Sequence, residues 1–119
     1  MYNFGMKYID KHIKISDLTK MAEENFGNLV KAVVDIDKRI MIVNAQLHSD
    51  EESELIKKGS QQQNLWGINL YPKLYGTDDF VEFDSMINLR PSLDNNTRGV
   101  EDKSIQDQII KIVNDLVSK

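Results

Sequence analysis

Between Val30 and Val43 the chain spells out a β-hairpin, and no other stretch limits the fold as tightly. Val30, Ala32, Val34 and Ile36 alternate with Lys31, Asp35 and Asp37, the period of a strand with one buried face. After Asp37-Lys38-Arg39 comes Ile40-Met41-Ile42-Val43, which has no polar position at all and therefore belongs inside a sheet. An interior strand needs neighbours on both sides and a layer of other elements over it. With 119 residues, 40% of them hydrophobic, the chain suits one domain spanning 1–119 around one core, with 1–8 as a flexible lead.

Helices supply the covering layer. Leu18, Met21, Ala22 and Phe26 follow helical spacing, with Ser16 as a candidate cap and Gly27 as the stop. Ser49 and Glu52 have the spacing of a capping box that opens a short helix ended by Gly59, and only Leu55 and Ile56 are apolar on it, which predicts a surface helix. At the C-terminus Ile105, Ile109, Ile112 and Leu116 form a stripe widened by Ile110, Val113 and Val117, starting after Asp102. A short extended piece is expected around Ile9, Ile13 and Ile15, and further strands at Leu65 to Tyr71 and Phe80 to Arg90. The predicted fold class is α+β in two layers: about four mostly antiparallel strands, with three helices largely on one face and a polar opposite face.

Composition removes several function classes. The absence of cysteine excludes disulfides, thiolate catalysis, iron–sulfur clusters and cysteine-bound zinc, and fits a reducing cytoplasm. The stretch Met1 to Lys7 has no apolar signal-peptide core, and no apolar run approaches a membrane span, so a cytoplasmic protein without membrane contact is expected. A net charge of −4 and a pI near 5.1 disfavour nucleic acid as a partner. No cofactor motif is present; Gly59-Ser60 lacks the spaced glycine and lysine of a phosphate-binding loop. Asn95-Asn96-Thr97 matches a glycosylation sequon and is read only as an exposed loop.

Several segments also look like a family of short prokaryotic proteins of unknown function: Val33-Val34-Asp35-Ile36, Leu47-His48-Ser49-Asp50, Gly59-Ser60-Gln61-Gln62, Leu65 to Pro72 and Ile87-Asn88-Leu89-Arg90-Pro91. The resemblance covers nearly everything after Ile15. It implies a stand-alone bacterial or archaeal domain and brings no activity, ligand or catalytic residue with it.

The residues themselves offer three functional readings. Asparagine is a poor strand former, so Asn69 and Asn88 within apolar strand-like runs point to side chains placed for hydrogen bonding. Strand parity would set Asn69 and Tyr71 beside Asp84, Asn88 and Arg90, and Arg98 flanks the same loop, so Asn69, Tyr71, Asn88, Arg90 and Arg98 are the candidate ligand-binding residues. The first reading is a noncatalytic domain that binds a small polar or anionic ligand, or a partner segment, through a polar sheet face. A metal-assisted hydrolase using His48, Asp50 and Asp84, with Asp35 and Glu82 nearby as further carboxylates, is the second. The third is a homo-oligomeric interaction module with no small ligand, its oligomeric state open. The bland alternatives are that the carboxylates are a solvated strand face, that the amides and Arg90 satisfy loop backbone, and that Trp66 is a core indole.

Overall fold

The computed structural model of the chain describes residues 5–119. In chain order its elements are β1 (Lys7–Ile9), β2 (Ile13–Lys14), α1 (Ile15–Glu24), β3 (Val30–Asp35), β4 (Ile40–Val43), α2 (His48–Lys57), β5 (Leu65–Leu70), β6 (Val81–Glu82), α3 (Lys103–Leu116) and β7 (Val117–Ser118), with single 3₁₀ turns at Gln62–Asn64, Pro72–Leu74, Met86–Asn88 and Pro91–Leu93. The main sheet runs β1-β4-β3-β5-β6 with every neighbour antiparallel, and β2 pairs with β7 in a small parallel ladder. This is the α+β class with a mostly antiparallel sheet. Of the lead segment 1–8, residues 1–4 lie outside the described residues, while Lys7 and Tyr8 belong to β1, paired with Val43 and Ile42.

The hairpin sits where its sequence places it, with β3 central and β4 between β3 and β1. Its turn is held by Asp35, whose Oδ1 accepts from the backbone N–H groups of Asp37 and Lys38 and whose Oδ2 accepts from the Ser60 hydroxyl at 2.6 Å. A buried carboxylate with three donors is a structural fixture, so Asp35 is no free ligand.

Register sorts the side chains onto two faces. Val30, Ala32, Val34, Met41, Val43, Trp66, Ile68 and Leu70 pack with Leu18 and Ala22 of α1 and with Ile109, Ile112, Val113 and Leu116 of α3. Val33, Ile40, Ile42 and Leu65 turn the other way and pack with Leu55 of α2 and with Ile87. The second face is therefore not an open polar surface: α2 and the segment around Ile87 cover its apolar half. Burial on both faces is why β4 lacks a polar position, each such side chain contributing roughly 1.5–3 kcal/mol.

Two helix starts differ from the sequence reading. α1 begins at Ile15, one residue before Ser16, because the chain leaves β2 directly into the helix and Lys14 occupies the capping position without a side-chain bond. α2 begins at His48 with Leu47 before it, so Ser49 is inside the helix and forms no capping box with Glu52. The inward face of α2 carries His48, Glu51 and Leu55, two of them polar, which is why apolar spacing alone made it look like a surface helix. Gly59 ends it as expected, in the left-handed region at φ 102°, with the Ser60 N–H returning to the Leu55 carbonyl. Asp102 caps α3 by accepting from the Ser104 N–H.

The largest departure is at Phe80 to Arg90, which is strand only at Val81–Glu82. Past Glu82 side chains take over the pairing of β5. Asn88 accepts from the Gly67 N–H and donates to the Gly67 carbonyl, at 2.8 and 2.9 Å, so its amide stands in for a neighbouring strand. Farther along, the Arg90 guanidinium donates to the carbonyls of Leu65, Gln62 and Ile87 and lies over the Trp66 ring. Asn95 completes the device: it donates to the carbonyls of Asn88, Thr97 and Gly99 and accepts from the Glu101 N–H. Asn95 is thus buried, not the exposed loop residue its sequon suggested.

Candidate functional site

On the second face, beyond the apolar half covered by Leu55, the sheet carries a polar cross-strand row. Lys31 of β3 pairs with Asn69 of β5, and Asn69 with Glu82 of β6. Over this row the first turn of α2 and the Ser85–Ile87 turn approach one another. They leave a cavity of about 160 Å³ lined by Lys31, Leu47, His48, Ser49, Ser85, Met86, Ile87 and Arg98. Leu47 and Met86 on its wall are 54% and 62% exposed, so the cavity has an apolar rim around polar groups.

His48 is its most constrained polar group. The ring is buried, 7% exposed, and Nε2 lies 2.7 Å from the Ile68 carbonyl oxygen. Burial, aided by the nearby positive charges of Lys31 and Arg98, pushes its pKa down to about 4 against the pull of the Ile68 carbonyl and Asp84, so the imidazole is neutral at pH 7. Lys31 forms no ion pair among the described residues, its ammonium lying over the Phe26 ring. Arg98 is paired with Asp84 at 2.7 Å, but both side chains are about half exposed. Such a pair contributes at most about 1 kcal/mol, so turning Arg98 toward an anion costs little.

The five residues singled out in the sequence fall into two groups. Asn69, Tyr71 and Arg98 belong to the polar end: Asn69 and Tyr71 both donate to Glu82 Oε1, at 2.9 Å each, and Asn69 also reaches the Asp84 carbonyl beside the Arg98 pair. Burial and then the Glu82 bond raise the Tyr71 pKa, so its phenol stays protonated. The Asn69 Oδ1 is buried without a hydrogen-bond partner among the described residues. Asn88 and Arg90 sit at the edge of β5 instead, their polar atoms bonded to main chain. Strand parity could not join them to Asn69 because the strand ends at Glu82.

The carboxylates do not assemble either. Asp50 opens on a different cleft, with Gln46, Ser53 and Lys57, while Asp84 is beside Arg98 and Asp35 is in the hairpin turn. Among the described residues no group of three or more His, Asp or Glu side chains is placed to hold a metal ion. Nor is any helix there long and apolar enough to cross a membrane.

Residues 7–116 match a family described as a protein of unknown function, DUF5674. The chain belongs to that family. No curated protein and no solved structure matches it.

In this DUF5674 chain the sequence reading missed Lys31 and Ser85 as cavity residues. Lys31 looks like any lysine on an alternating strand; only the path of α2 across the sheet encloses it. Larger clefts exist, up to about 460 Å³ between Gly76–Val81 and α3, but of the residues lining that one only Phe80 is buried, and its polar groups are all on exposed side chains.

Glu51, one helical turn beyond His48, is fully buried; its Oε2 accepts from the Ala45 N–H and its Oε1 has no partner among the described residues. Burial raises its pKa well above 4.5, opposed by the Ala45 bond and Lys31. The folded protein thus keeps this proton to higher pH than the unfolded chain does. Stability from this group is complete below the ordinary glutamate range and declines as pH rises from there through the folded value. Glu51→Gln should flatten that decline, its urea midpoints gaining on the parent's as pH rises above the ordinary glutamate range. Parallel profiles would show that Glu51 ionises alike in both states.

Proposed function

We propose that the chain is a noncatalytic binding domain that holds a small polar or anionic ligand in the cavity between Lys31, the start of α2, Ser85 and Arg98. The observation that carries this reading is Lys31: a half-buried lysine that lines the cavity and has no ion pair among the described residues. Arg98, loosely held by Asp84, adds a second cation from another segment, and the Ser49 and Ser85 hydroxyls line the same space. Two cations and hydroxyls around a small concavity complement a carboxylate or phosphate. Among the described residues neither cavity serine is hydrogen-bonded to His48 and no group of three or more His, Asp or Glu side chains is placed to hold a metal ion, which favours binding over the hydrolase reading.

Titration with acetate and with inorganic phosphate at low salt, followed by amide chemical shifts, tests this. The expected result is a saturable change centred on Lys31, His48, Ser49, Ser85 and Arg98, with a Kd around 1–10 mM for such minimal probes. Lys31→Met should weaken it about tenfold. Unchanged spectra at about 50 mM of either anion would reject the reading. Exposed Leu47 and Met86 favour a second reading, in which the occupant is a partner segment whose apolar side chain rests on the rim.

A further inference from the structure

Resting on that ligand reading, we infer that the cavity selects a small carboxylate bearing an adjacent hydroxyl, with His48 Nδ1 accepting the hydroxyl hydrogen while Lys31 and Arg98 take the carboxylate. The tautomer follows from geometry. A carbonyl oxygen only accepts, so Nε2, 2.7 Å from the Ile68 oxygen, carries the ring hydrogen. A neutral imidazole has one N–H, which leaves Nδ1 as an acceptor. No protein hydrogen bond engages Nδ1 among the described residues, and His48, 7% exposed, lines the cavity. The low pKa of His48 keeps this state across the physiological range.

An acceptor beside two cations is an unusual demand on a ligand. A bare anion satisfies the cations and leaves Nδ1 unpaired, and a ligand with an ammonium donor brings a third positive charge next to Lys31 and Arg98. A hydroxyl satisfies the acceptor without that repulsion. A concavity of about 160 Å³ suits a small ligand such as a two- or three-carbon hydroxy acid.

Acetate, glycolate and glycine differ only in the group next to the carboxylate, so amide-shift titrations with the three isolate the contribution of Nδ1. Glycolate is expected to bind about tenfold more tightly than acetate, and glycine more weakly than glycolate. His48→Gln keeps an amide N–H for the Ile68 carbonyl and removes the ring acceptor at Nδ1; it should reduce the glycolate preference over acetate to within about twofold. Nitrogen-15 spectra of the ring should show a bare Nδ1 and a protonated Nε2. Equal binding of acetate and glycolate, or glycine matching glycolate, overturns the selectivity while the ligand reading stands. Binding of none of the three overturns both. The three-probe comparison on the unaltered protein decides the matter even where His48→Gln folds poorly.

Discussion

Replacing Asn88 by Ala should remove about 3–5 kcal/mol of folding stability, the largest loss expected from a single polar side chain here. Asn88 is fully buried, and its amide satisfies the Gly67 N–H, the Gly67 carbonyl and the Arg98 carbonyl. Truncation leaves the Gly67 N–H and carbonyl without their Asn88 partner, in a place where each orphan costs about 1–3 kcal/mol, and takes from the Arg98 carbonyl one of its two donors, the Ser85 N–H remaining. A domain of this size has about 5–15 kcal/mol in total, so the variant should be marginal at room temperature. The Asn88 carbonyl also accepts from Asn95, so movement at this position spreads into the 95–101 loop. Urea unfolding at neutral pH measures the loss, and Arg98→Ala, which breaks only a half-exposed ion pair, supplies the comparison at about 1 kcal/mol or less. An Asn88→Ala loss as small as that of Arg98→Ala would mean that the side chain is not acting as the missing strand.

That substitution also marks the boundary of what the sequence makes legible. The hairpin at 30–43 and helix α3 are readable because each announces itself through a local period, two in one case and about 3.6 in the other. Asn69 and Asn88 are readable as residues not placed for packing, since asparagine opposes the strand conformation its neighbours favour. Their destinations are not readable. Side chains that replace a strand have no period, so the turn of the chain away from β5 after Glu82 leaves Phe83, Ile87 and Leu89 looking like alternate residues of a continuing strand. α2 fails for a related reason: two of its three inward residues, His48 and Glu51, are polar, so a hydrophobicity pattern assigns the helix to the surface. The site follows suit. Arg98 and His48 draw notice as residue types, while Lys31 and Ser85 become significant only once α2 and the 85–87 turn close over the Lys31–Asn69–Glu82 row.

Gly67→Ala should destabilise the protein by about 2–3 kcal/mol and weaken anion binding at the same time, because a single backbone contact supports both the fold and the cavity. A Cβ at position 67 would lie 2.6 Å from both Cβ and Oγ of Ser85 and 3.1 Å from the Ile87 Cγ1. Ser85 cannot yield easily, since its N–H is bonded to the Arg98 carbonyl at 3.0 Å, its carbonyl accepts from the Asn88 N–H and its side chain is buried. The overlap must be relieved by moving the 85–88 turn off β5. That motion strains the Asn88 bonds to Gly67 and shifts Ser85 and Ile87, which form one wall of the cavity. The clash is specific to the pair, so Ser85→Gly on the Gly67→Ala background should recover at least about 1 kcal/mol, whereas Ser85→Gly alone should cost stability. A double-mutant cycle by urea unfolding, with acetate titrations of the same four proteins, reads both effects. If Gly67→Ala lost stability but kept its anion affinity, the 85–88 turn would be a structural brace that the ligand does not use.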